Sequence, residues 1–390
     1  MNAALFFLIG IFSWVSYFSG SFVYPIASFN DKKLFVMYQK SDMQVELWIW
    51  DLQELQALKG LPNHITPAGV KLLPCGKGFS FVDQGRIRIK YFGKRSPKSI
   101  EVSEPIYDIA LIEWINDDTC YLSARQHNHY GIYHLYTSGT VVPLLWDCTV
   151  DNMYPQKQND MLFYIERSRA VDTIRRNGSY QYRIMQTTYP TVPQEESFDF
   201  ENTVIGTTEH ENVMIGKKSV VIDNHKNPLI FLRMMSEHEG YVIEHQATIN
   251  EHDTCIECVY HHLFYKDNQW QMAPLICFSL PIKLLFKPKT RLYESILPLL
   301  PYHVGSTIYY VDCSHAKNVL NLNIFSYDTK TKKQTQLTHA TEKNAHYFGP
   351  FRLGNTIFYG GSLESCLCSP PECTPSSEGF ITFNLGRLYV

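Results

Sequence analysis

No window of the 390-residue sequence keeps its apolar residues at a 3.6-residue period for long, which argues against helices as the main building element. Charge of one sign is also missing. The 35 Lys and Arg face 38 Asp and Glu, and a net charge of −3 gives no global field that would gather nucleic acid or an anionic membrane surface. The patch of Lys94, Arg95 and Lys98 reads as a solvated turn. Charged residues make up only 19% of the chain against 45% hydrophobic, so disorder is excluded and a large core can be buried. Ten cysteines are too few for a disulfide scaffold, yet more than a typical cytosolic chain of this length needs. Beyond the first twenty residues, no apolar run approaches the length of a membrane span.

The one long apolar run is Ala3 to Phe18, and no charged residue follows it until Asp31. It has the character of the h-region of an export signal, with Ser19 and Ser21 at the −3 and −1 positions of a cut before Phe22. Residues 1–21 are therefore expected to be a signal peptide. An uncleaved N-terminal anchor and a buried first strand are the alternatives. Export, to a periplasmic or extracellular location, is the corresponding expectation.

What is abundant is strand-forming sequence. The 25 Tyr and 23 Phe accompany short runs rich in Ile and Val, set off by Asp, Asn, Ser and Lys. The clearest unit runs from Ser306 to His339. There Thr307 to Val311, Leu322 to Tyr327 and a more polar third run are joined by polar turns, which is the grammar of an antiparallel meander. The first two runs are apolar on both faces, as befits strands sandwiched between neighbouring sheets. The same entry, a tight polar turn followed by an apolar strand, recurs with that strand starting at Leu34, Phe79, Cys120, Leu162, Val213, Cys255, Ile308 and Ile357. The steps of 41 to 53 residues are what a four-stranded propeller blade consumes. An all-β fold is predicted over residues 22–390: a single β-propeller domain of about eight four-stranded antiparallel blades. Seven blades, with an insertion near Glu195 to Asn227, is the alternative. Closure would pair the strand near Tyr24 to Phe29 with the final sheet, hiding its edges.

The turns at Ser28-Phe29-Asn30-Asp31-Lys32-Lys33-Leu34-Phe35-Val36 and Trp114-Ile115-Asn116-Asp117-Asp118-Thr119-Cys120-Tyr121-Leu122 resemble the repeats of TolB-like, WD-repeat-like β-propellers, in which Ser-Pro-Asp-Gly makes the turn. The resemblance extends over most of the chain. No copy keeps the whole Ser-Pro-Asp-Gly turn, and Trp50-Asp51 and Trp146-Asp147 occur without the Gly-His of true WD repeats. The resemblance implies a fold and a tendency toward protein binding, with no catalytic residue to carry over.

Motifs for chemistry are sparse. Propellers of the prolyl oligopeptidase class accompany an α/β-hydrolase domain, but no Gly-x-Ser-x-Gly elbow and no Walker loop occurs. His252, Cys255, Cys258, His261 and His262 have suggestive zinc spacing, but Cys255 and Cys258 on one strand point to opposite faces. His127, His129 and His134 are as well explained by a hairpin, so no metal and no cofactor is expected. Cys366, Cys368 and Cys373 lie in a Pro- and Ser-rich turn and are disulfide candidates if the chain is exported. Asn177-Gly178-Ser179 is a glycosylation sequon by pattern.

The function expected is that of a non-catalytic platform, monomeric, binding a protein or envelope component through turns on one face. Trp114, His127 and Tyr130 are the candidate contact residues, and neither nucleic acid nor a membrane span after signal removal is part of the expectation. The rivals are a lyase- or glycosidase-type enzyme with carboxylates such as Asp31, Asp118 and Asp253 at a central funnel, and a carbohydrate binder with aromatics along one rim.

Overall fold

The computed structural model describes residues 22–29, 33–41, 44–50, 55–62, 65–94, 96–102, 106–169, 180–188, 218–225, 227–245, 255–281, 299–316, 319–339, 345–354, 356–363 and 386–389. The expected signal at 1–21 and the cysteines Cys366, Cys368 and Cys373 lie outside them. No helix among the described residues is long and apolar enough to cross a membrane. The chain forms two compact units, one of residues 65–278 and one that joins the chain up to residue 64 with the chain from residue 279 onward.

Strand follows strand in chain order. The first sheet is β1 (Phe22–Phe29), β2 (Lys33–Ser41), β3 (Gln44–Trp50) and β4 (Leu55–Ala57). The second is β5 (Ile65–Leu72), β6 (Gly78–Asp83), β7 (Arg86–Tyr91) and β8 (Lys98–Ser99). The third is β9 (Tyr107–Trp114), β10 (Thr119–Gln126), β11 (His129–Tyr136) and β12 (Val141–Leu145). The fourth is β13 (Val150–Gln158), β14 (Met161–Arg169), β15 (Tyr180–Thr188) and β16 (Ser219–His225). The fifth is β17 (Leu229–Ser236), β18 (Glu239–His245), β19 (Cys255–Lys266) and β20 (Gln269–Pro281). The sixth holds β21 (Tyr302–Val304), β22 (Thr307–Ala316), β23 (Val319–Asp328), β24 (Gln334–Gln336), β25 (Ala345–Leu353), β26 (Thr356–Leu363) and β27 (Gly386–Tyr389). Antiparallel meanders of this kind are the blades of a β-propeller.

Among the described residues six hydrogen-bonded sheets stand where eight, or seven, blades were expected, for two reasons. The entry placed at Val213 lies outside the described residues. The strand assigned to it as a partner, Leu229 onward, instead opens the fifth sheet, and the strand at Cys255 is the third of that same sheet. The fifth and sixth expected copies are thus one sheet, whose first hairpin turns at Glu237-His238 with neither Gly nor Pro to announce it. The copies entered at Ile308 and Ile357 share one seven-stranded sheet through a single parallel pair, Leu322 with His346. The N-terminal strand also departs from expectation. It hydrogen-bonds to β2 at the edge of the first sheet, and it packs against β25 and β26 without joining their ladder.

Strands apolar on both faces follow from this stacking. In the unit of residues 65–278, Leu73, Val82, Ile87 and Ile89 of the second sheet pack on Ile112, Leu122 and Leu135 of the third. Ile132 and Leu144 of the third sheet meet Leu162, Tyr164 and Met185 of the fourth, whose other face puts Phe163, Ile165 and Ile184 on Leu229, Leu232, Val242 and Leu263 of the fifth. In the other unit Leu34 and Val36 of β2 pack on Phe358 of β26, with Trp50 edge-on to the Phe358 ring at 5.2 Å. Burying one such Leu, Ile or Phe side chain is worth about 1.5–3 kcal/mol, so this paired-face pattern supplies the main stabilisation of each unit.

Candidate functional site

Each meander has two ends. The entry end carries the start of the first strand and the turn between the second and third; the far end carries the other two turns. In the third and fourth sheets the entry end gathers Tyr107, Asp108, Arg125, His127, His129 and Tyr130 with Asp151, Arg167 and Tyr180.

Asp151 is the hub. Its Oδ1 accepts the Tyr130 backbone N–H at 2.9 Å, and its Oδ2 accepts Nε and Nη2 of Arg167 at 2.9 and 2.6 Å. His129 Nδ1 stands 3.5 Å from Oδ1. Burial weighs against the Arg167 charge, but Asp151 outweighs it and holds the guanidinium firmly protonated. Such a paired, largely buried carboxylate is costly to disturb from either side. Arg167 also lies 4.8 Å over the Tyr180 ring, and Arg125 lies 4.7 Å over the Tyr130 ring. The Tyr130 hydroxyl donates to Asp108 Oδ2 at 2.8 Å, and burial pushes its pKa up to about 12 although Arg125 opposes the shift. Asp108 also pairs with Arg125 at 3.4 Å.

Two residues of this end are held in left-handed backbone conformations that side chains seldom adopt, Asp108 with φ 57° and His127 with φ 55°. Non-glycine residues in that region are over-determined by their surroundings and concentrate at functional sites. His127 is exposed and its ring sits 6.0 Å from that of Trp146, while Tyr107 and Tyr180 are 44% and 39% exposed. The result is an aromatic surface on a charge-balanced frame. It suits recognition, since rigid rings lose little entropy on binding.

Of the three residues singled out in the sequence, His127 and Tyr130 share this end, with Tyr130 buried and serving as support. Trp114 lies at the far end of the third sheet, paired with Cys120, and its Nε1 donates to Ser80 Oγ of the second sheet at 2.9 Å. Asp108, Arg125, Asp151, Arg167, Tyr107 and Tyr180 were missed. The only sequence signal was charge set inside or beside apolar strands. Asp118 sits in a tight turn, its N–H bonded to Asn116 Oδ1 at 2.8 Å, while Asp31 and Asp253 lie outside the described residues.

A second buried cluster occupies the entry end of the fifth sheet. Glu244 Oε2 lies 2.6 Å from His261 Nε2 and 3.1 Å from His225 Nε2, and Oε1 accepts from Asn227 Nδ2. Burial opposes ionisation of Glu244, but Asn227, His225 and His261 together hold its carboxyl below the usual range. His261 is thus committed to Glu244, whereas its neighbour His262 faces the other way and bonds Glu239 at 3.0 Å. The zinc spacing around Cys258 is split between two faces, and His252 lies outside the described residues. Among the described residues no group of three or more His, Cys, Asp or Glu is arranged to hold a metal ion.

No protein-family model matches the chain, and no curated protein matches it. Solved structures do. A prolyl endopeptidase superposes at 8% identity with a TM-score of 0.50, over 90% of this chain and 47% of the peptidase. The tricorn protease gives 10% identity and a TM-score of 0.49 over 80% of this chain and 30% of that one. A protein assigned as TolB in Agrobacterium tumefaciens gives 11% identity and a TM-score of 0.43, over 66% and 89% of the two chains. The chain therefore spans less than half the length of either peptidase, and at these identities the likeness is one of fold. That fold, with its four-stranded antiparallel sheets following one another in chain order, is a β-propeller.

Proposed function

We propose that the protein is an exported, non-catalytic binding platform that captures a protein or envelope component on the entry end of the third and fourth sheets. The observation that carries this reading is the pairing of exposed Tyr107, His127 and Tyr180 with the fixed frame of Asp108, Asp151, Arg125 and Arg167 beneath them. Loops and strand ends on a rigid scaffold are where binding residues accumulate. Here the carboxylates are occupied by guanidinium and hydroxyl partners. That favours a recognition surface over a pair of carboxylates set for acid and base work.

The test is crosslinking of the full-length protein in an exporting host, comparing wild type with Tyr107→Ala/His127→Ala/Tyr180→Ala. A specific partner retrieved by the wild type and lost by the variant is the expected result. Turnover of a glycan, ester or peptide by the purified protein, abolished by replacing one carboxylate, would instead establish the rival enzyme.

A further inference from the structure

At the opposite end of the fourth and fifth sheets a chain of four rings runs from the core to the surface. Phe163, fully buried, meets Trp270 edge-on at 5.8 Å. Trp270 meets Tyr265 at 5.5 Å, and Tyr265 stacks on His238 at 5.4 Å. Tyr265 is 41% exposed even so, and its backbone N–H donates to the His238 carbonyl at 2.9 Å, which locks the two turns together. The turn after Tyr265 is built by Asp267 and Asn268, both left-handed at φ 53° and 61°, the geometry of a tight type I′ hairpin. The outer ring face is therefore fixed in position before anything binds.

We propose that this end is a second docking site, separate from the entry end, for a lysine or arginine side chain on an extended basic segment of a partner protein. The charges set the occupant. Glu237 adjoins His238, Asp267 follows two residues after Tyr265, and Asp160 lies in the turn before Met161, which packs in the same apolar cluster as Trp270. The nearby cations point elsewhere by strand alternation. Lys266 faces away from Tyr265. Arg233 pairs with Tyr241, on the face opposite Val242. Lys157 and Lys218 belong to the face of the fourth sheet that packs on the third, with Leu162 and Met185. The turns at this end thus carry Asp160, Glu237 and Asp267, while the strand pairing puts Lys157 and Arg233 on other faces. A cation over an exposed Tyr face gains about 0.5–1 kcal/mol, and more where water is displaced.

The experiment uses the full-length protein and two fluorescein-labelled peptides, hexalysine and hexaglutamate, followed by anisotropy at low salt. Saturable binding of hexalysine is expected, with none of hexaglutamate. Tyr265→Ala should weaken it about fivefold, and Tyr265→Phe should retain it. The combination Asp160→Asn/Glu237→Gln/Asp267→Asn should weaken it further and flatten its salt dependence. Tyr107→Ala/Tyr180→Ala should leave it unchanged. Equal binding by wild type and Tyr265→Ala would mean diffuse attraction and overturn the site, as would preference for hexaglutamate, loss in the Tyr107/Tyr180 variant, or no binding. Unaltered dichroism and melting of each variant guard against misfolding.

Discussion

Asp151 shows why single residues at the candidate site escape sequence reading. In sequence it is one of many acidic residues near a strand start; in the structure it fixes the Tyr130 backbone and the Arg167 guanidinium together. That convergence comes from two sheets meeting, which no local pattern encodes. Asp151→Asn leaves a half-buried guanidinium without its counter-charge, so urea denaturation should show a loss of about 2–3 kcal/mol. Adding Arg167→Met should recover part of that loss, giving a measurable coupling in the double-mutant cycle. The thiols offer a second residue-scale test. Cys120, Cys258 and Cys313 are buried, and burial pushes the Cys258 pKa up to about 12 and raises that of Cys120 as well, whereas Cys75, Cys148 and Cys277 are exposed. A thiol reagent should label the exposed three in the folded protein and the buried three only after unfolding. Fast labelling of Cys120 would contradict its place between the second and third sheets.

At the scale of elements, the strands were legible because paired burial on both faces writes itself as continuous apolar sequence, as in Gly78–Asp83, where every residue is buried. Entries marked by Gly, Asn or Asp also mapped onto real hairpins, as at Asn116-Asp117-Asp118 before β10. The miscount came from the hairpin at Glu237-His238, whose turn residues carry no such mark, and from Leu322 with His346, a pairing set by tertiary approach. Where a turn does demand glycine, the demand is severe. Gly139 has φ 113°, and a Cβ there would collide with the backbone carbonyl oxygen of Glu101. Gly139→Ala should therefore cost more than about 2 kcal/mol. Gly85→Ala, with φ 80° and open space around it, should cost about 1 kcal/mol. Equal denaturation midpoints for the two variants would refute the close approach of the β11–β12 turn to residue 101.

For the molecule as a whole, buried histidines tie stability to pH. Burial lowers His134 from 6.5 to about 4, and burial is also the largest influence lowering His261, although Glu244 opposes it. A histidine whose folded pKa lies below its unfolded value leaves the folded state binding fewer protons in the window between the two. Stability is then fully present above about pH 7 and falls as pH drops from about 6.5 toward 4. His134 alone accounts for a ceiling on the order of 3 kcal/mol across that window. Glu244, held below the usual carboxyl range, adds a loss of the same sign as pH falls through its own folded pKa. Urea midpoints taken from pH 8 to pH 4 should stay level and then decline. His134→Gln should remove about one proton's worth of that slope while lowering stability at pH 8 through lost packing against Tyr136, whose ring lies 4.8 Å away. A variant with the wild-type slope between pH 6.5 and 4 would show that His134 is hydrated and able to charge in place.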